Sequence, residues 1–122
     1  MKVIELTADM AEAFIAKQPV AVILYFALGD SQEWELLARY KSTVNTFSHD
    51  DHLAFGSVDL TATENVEVLE QGIVVMTPTL IVYHFGEPVG ETVGCDAIAG
   101  KLRQNLVPSF YMHSQTWCRM LE

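Results

Sequence analysis

Two residue classes are scarce in this 122-residue sequence: cysteine, with two, and the basic residues, with seven. Cys95 and Cys118 stand far apart, so no disulfide framework is expected, and a reducing compartment, cytoplasmic or another intracellular one, is the default. Against sixteen acidic residues the seven Lys and Arg leave a net charge of −9, and they are scattered singly. Nucleic-acid binding needs clustered cations to neutralise phosphates, so it is excluded, as is an anionic membrane surface. No apolar run reaches the roughly 18 residues of a membrane span, and the start, Met1-Lys2-Val3-Ile4-Glu5-Leu6, lacks the pattern of a signal peptide. The stretch His49-Asp50-Asp51-His52 has the wrong spacing for zinc and no cysteine nearby, so it reads as a solvated loop. His84 and His113 are isolated, and no metal or cofactor is expected.

What is present is apolar patterning, which covers half of the residues. Val3–Leu6 reads as a short strand. Thr7 or Asp9 can cap a helix to about Lys17, with Met10, Phe14 and Ile15 on its buried side. Gln18-Pro19 ends that helix. Val20–Ala27 is a continuous apolar run, the mark of a strand covered on both faces, which implies helices above and below it. From Ser31 to about Phe47 the spacing of Leu37, Tyr40, Val44 and Phe47 predicts the longest helix. A strand over Leu53–Leu60, a short helix over Thr63–Gln71, a hairpin over Thr79–Val93 and a helix over Asp96–Leu106, seamed by Ile98, Leu102 and Leu106, complete an α/β pattern. No repeat or low-complexity segment interrupts it.

Three features carry a resemblance. Leu24-Tyr25-Phe26-Ala27 is an apolar strand running into a loop; Met76-Thr77-Pro78-Thr79-Leu80 is a proline step entering a second strand; Gly86-Glu87 and Gly94 mark a hairpin and the turn before the last helix. In this order, over residues 1 to about 107, they resemble the thioredoxin-like superfamily. The resemblance implies a central mixed sheet flanked by helices, a cis bond before Pro78, and a substrate groove formed where Asp30–Trp34, Thr77-Pro78 and Gly94-Cys95 meet. It also locates the departures. Where thioredoxins carry Cys-x-x-Cys this chain has Asp30-Ser31-Gln32-Glu33, and the position of their buried aspartate holds Leu24. The segment from Gly72 to Pro78 is one residue longer than the usual spacing. With two parts of the redox apparatus missing, the resemblance implies a redox-inactive member, not an enzyme.

Each candidate position has two readings. Asp30 and Glu33 form either a capping box or a carboxylate pair for acid–base work. Trp34 is either the edge of the helix's apolar stripe or an exposed anchor for a partner. Cys95 is either a small apolar filler or a single thiol able to form a mixed disulfide with a protein or glutathione. Residues 108–122 form a C-terminal extension rich in aromatics and methionine, including Phe110, Tyr111, Trp117 and Met120, which would pack on the domain, join two copies or dock on a partner.

Relatives lacking the dithiol serve as folding, assembly and maturation factors. The resemblance thus implies a protein-binding adaptor, assembly factor or chaperone that offers an extended partner segment the vacated groove. The alternatives are a monothiol exchange protein using Cys95 and a structural subunit or homodimer assembled through the C-terminal segment.

Overall fold

In the computed structural model, residues 1–29, 31–47, 49 and 51–103 are described. They form β1 (Val3–Leu6), α1 (Ala8–Lys17), β2 (Val20–Phe26), α2 (Ser31–Asn45), β3 (Leu53–Asp59), a 3₁₀ turn (Thr63–Asn65), α3 (Glu67–Glu70), β4 (Thr79–His84), β5 (Glu87–Val93) and α4 (Cys95–Arg103). The sheet order is β1-β3-β2-β4-β5. The first three strands run parallel, β4 is antiparallel to β2, and β5 is antiparallel to β4. This is the mixed sheet that the resemblance implies.

The apolar run of β2 explains the layering. All seven of its residues are buried, and alternate side chains enter opposite cores. Val20, Val22, Leu24 and Phe26 pack with Leu37, Tyr40 and Val44 of α2 and with Ile98 and Leu102 of α4. Ala21, Ile23 and Tyr25 pack on the other face with Ala11 of α1, Val68 of α3, and Ile81 and Tyr83 of β4. Each aliphatic side chain so enclosed contributes about 1.5–3 kcal/mol, which is why β2 is the centre of the sheet.

Local chemistry sets the element ends. Thr7 caps α1, its hydroxyl accepting from the Met10 amide at 3.3 Å. The β4–β5 turn places Phe85 and Gly86 at φ 47° and 85°, the doubly left-handed turn that matches strand twist. Glycine adopts this without strain, whereas Phe85 does not. Gly56 of β3 answers a close approach: a Cβ there would stand 2.5 Å from Leu6 Cδ1 and 3.0 Å from Ile23 Cδ1.

Two expectations are corrected. Met10 is exposed, and α1 faces the sheet through Ala11 with Phe14 and Ile15 half-buried, because the small side chain lets the helix sit close to the strands. The helix expected over Thr63–Gln71 divides into the 3₁₀ turn and the single turn of α3. The reason is Asn65, whose buried amide donates to Asp59 O at 2.8 Å while its Oδ1 accepts from the Ala8 amide at 2.7 Å. That side chain ties the turn to the end of β3 and the start of α1, out of line with a continuous helix. Leu106, expected in the seam of the last helix, lies outside the described residues.

Candidate functional site

The groove forms where three connections meet: β2 into α2, the segment entering β4, and β5 into α4. Glu33 sits in the first turn of α2 on the same stripe as Leu37, Tyr40 and Val44, and is only 6% exposed. A carboxylate taken out of water needs hydrogen-bond partners. Its Oε1 accepts from the Ala27 amide at 2.8 Å, and its Oε2 stands 3.5 Å from the Thr77 hydroxyl, at the outer limit for such a bond. Glu33 thus joins the exit of β2 to the loop before β4. Its acceptance reaches six residues back along the chain. The cap partner proposed for it, Asp30, lies outside the described residues.

The Thr77-Pro78 bond is cis, as the resemblance implies. Pro78 is buried and its carbonyl accepts from the Gly94 amide at 3.0 Å, which brings the third connection to the same point. The Thr79 hydroxyl donates to Met76 O at 2.6 Å and shapes the turn into β4. Ser31 and Gln32 are exposed on the first turn of α2. The two readings of Trp34 separate clearly: the side chain is 54% exposed, and its indole N–H donates to Leu28 O at 3.0 Å. It is an exposed aromatic surface held in one orientation, not part of the core.

Cys95 is half-buried as the first residue of α4 and packs against the core formed by α2 and α4. It also lines a cleft of about 290 Å³ between these helices, with Gln32, Arg39 and Asp96. The resemblance sets Gly94-Cys95 beside the proline. Its side chain packs toward α2, and the preceding Gly94 meets Pro78. The structure therefore brings Glu33, Thr77, Pro78 and Gly94 together, with Ser31, Gln32 and Trp34 at the rim. The expected tail interface of Phe110, Tyr111, Trp117 and Met120 lies outside the described residues.

Two residues of this region escaped the sequence reading. Val75 is 81% exposed and Met76 57% exposed, while Val74 between Ile73 and Val75 is buried. The signal was the apolar run Ile73–Met76 in a connection with no strand to absorb it. On the loop remote from the groove, the His49 ring shares a 2.7 Å hydrogen bond with Asp51 Oδ1, both side chains exposed. Among the described residues no three metal-ligating side chains come together, and no helix is long and apolar enough to cross a membrane.

No protein-family profile and no curated protein sequence matches the chain. Solved structures do. The Malassezia sympodialis thioredoxin Mala s 13 superposes at a TM-score of 0.70, with 17% identity over 93% of each chain. The oxidised thioredoxin of Plasmodium falciparum gives 0.67, with 21% identity over 84% of this chain and 96% of that one. The short form of spinach chloroplast thioredoxin f gives 0.67, with 18% identity over 85% of this chain and 93% of that one. At such identities the likeness is one of fold: the chain has the thioredoxin-like architecture.

Proposed function

We propose that this chain is a non-catalytic, protein-binding member of the thioredoxin-like superfamily, an adaptor, assembly factor or chaperone that works through the groove around Pro78. The observation that carries the reading is Glu33. The position that a redox dithiol would need holds a buried carboxylate committed to the Ala27 amide and directed at the Thr77 hydroxyl. Such a carboxylate serves as a structural tie between two loops, and it offers no thiol.

Recognition is supported by what lies on either side of that tie. The indole of Trp34 and the side chains of Val75 and Met76 are apolar groups left in water at the groove. Aromatic anchors of this kind concentrate binding energy. A partner segment would run extended beside Met76-Thr77, as in strand-like peptide recognition. The packing of Cys95 favours a filler role over thiol exchange.

The test is quantitative capture of partners from native extract by the full chain, Trp34→Asp and Cys95→Ser. A specific partner retained by Cys95→Ser and weakened at least about tenfold by Trp34→Asp, some 1.4 kcal/mol, supports the adaptor reading. Equal capture by Trp34→Asp with loss in Cys95→Ser would replace it with monothiol exchange.

A further inference from the structure

The face of the sheet opposite α2 and α4 carries a second feature. Between α1, α3 and the outer strands β4 and β5 runs an open trough of about 990 Å³. That is the upper end of the range of about 300–1,000 Å³ for ligand pockets, but this space is not enclosed. Its floor is Tyr25, Ile81 and Tyr83; Ala8, Ala11 and Ile15 of α1 form one wall, and Ile73 with Val89 the other side. Ile73 and Val89 are each 44% exposed, so apolar surface faces water here.

The charge around this apolar floor has one sign. Asp9 and Glu12 on α1, Glu67 on α3 and Glu91 on β5 all line the trough, and none of its described lining residues is Lys or Arg. Glu91 pairs with Ile81 in the sheet, which sets it on the trough's side, and its field reaches Tyr83. Carboxylates therefore stand on both walls with no cation between them among the described residues. The Tyr25 and Tyr83 hydroxyls meet at 2.8 Å on the floor.

We propose that this trough docks a cationic amphipathic segment of a partner protein, its apolar face on Ile73 and Val89 over the buried floor of Ile81 and Tyr83 and its Lys or Arg side chains reaching the four carboxylates. The open length and the carboxylates on both walls suit a chain segment bearing several cations, as in helix-in-groove recognition. A compact ligand with one positive charge would leave most of them unanswered. This surface shares no lining residue with the groove around Pro78, so one chain would hold two partner segments, or two parts of one.

The probe is a peptide of about 14 residues, roughly 21 Å of helix, with Leu on one face and Lys on the other; its control carries Glu for Lys. Titration of the intact, isotope-labelled chain at low salt is followed by amide shifts and calorimetry. The expected result is binding of the Lys peptide alone, with shifts confined to α1, residues 67–73, β4 and β5. Glu12→Lys/Glu91→Lys should weaken it at least about tenfold, against less than about twofold for Glu35→Lys/Asp51→Lys, which changes net charge equally. Ile73→Ser/Val89→Ser, at half-exposed positions that leave folding intact, should also weaken it, whereas Trp34→Asp should not. No binding by the parent chain, or equal weakening by the two charge-reversed pairs, overturns the proposal. So does broadening of the trough's amides by a nitroxide on Cys118 without peptide, which would seat the chain's own C-terminal segment there. Self-association abolished by Glu12→Lys/Glu91→Lys would overturn it in favour of a second copy.

Discussion

Replacing Glu33 by alanine removes the acceptor of the Ala27 amide at 2.8 Å. An amide deprived of its partner in a buried setting costs about 1–3 kcal/mol. Ala27 is half-buried, so water can recover part of that loss. The carboxylate in the first turn of α2 adds about 0.3–1 kcal/mol through the helix dipole. The contact to Thr77, at 3.5 Å, adds little. Glu33→Ala is thus expected to destabilise by about 1.5–3 kcal/mol, close to half of which belongs to the charge on the acceptor. Glu33→Gln keeps an oxygen in place and should cost less than about 1.5 kcal/mol. Urea unfolding reads both values, and in a thermal scan each kcal/mol corresponds to roughly 3–6 °C for a chain of this size. Hydrogen exchange at the Ala27 amide gives a local readout: slow in the parent, intermediate in Glu33→Gln and fast in Glu33→Ala. If Glu33→Ala unfolds within about 0.5 kcal/mol of the parent, the ordinary scatter of surface substitutions, and its Ala27 amide remains protected, the tie does not exist.

Four further outcomes follow from the packing. Burial holds the Tyr25 and Tyr40 hydroxyls protonated well above the usual phenol range and raises that of Tyr83, the Tyr25–Tyr83 pair adding to the rise at Tyr25. The unfolded chain loses those protons first as pH passes about 10. Stability should then fall by about 1.4 kcal/mol per pH unit for each tyrosine still protonated in the fold, a slope that Tyr83→Phe reduces; tyrosinate absorbance in the native state checks it. At neutral pH, Tyr83→Phe strands the Tyr25 hydroxyl at a cost of about 1–3 kcal/mol, and Tyr25→Phe/Tyr83→Phe should recover part of it, which denaturation of the double-mutant cycle measures. Gly56→Ala forces Leu6 and Ile23 aside and should destabilise by about 1–3 kcal/mol, an equal midpoint with Leu6→Ala in the same chain being the check on that cause. Cys95 packs against the core of α2 and α4, so iodoacetamide should modify it more slowly than an unstructured model thiol, with faster reaction contradicting the filler role.

The sheet, its central strand and its flanking helices were legible because they rest on local periodicity. The run Val20–Phe26 needs two covered faces wherever it sits, and Leu37, Tyr40 and Val44 share a helix face whatever they pack against. The stripe continued back by one helical turn arrives at Glu33, so its burial was within reach of the same spacing. The proline step and the hairpin glycine were legible for a related reason, since they are backbone conformations written into single residues.

Other features depend on distances between elements, which no spacing along the chain encodes. Met10 and Ala11 fit a helical stripe equally well, and only the closeness of α1 to the sheet made Ala11 the buried one. Trp34 could be core or surface until α2 was seen to begin at the end of the sheet, where among the described residues its side chain is left 54% exposed. Asn65 reads as an ordinary polar residue until β3 and α1 both offer it a backbone group. The trough likewise exists only because α1, α3 and β5 gather Asp9, Glu12, Glu67 and Glu91 around a floor of Tyr25 and Tyr83. The sequence by itself determined which segments become strands and helices and which faces they bury, since hydrophobic burial follows local period. Tertiary structure alone decided which polar groups meet and which apolar groups stay in water, because those depend on the positions of elements remote in the chain.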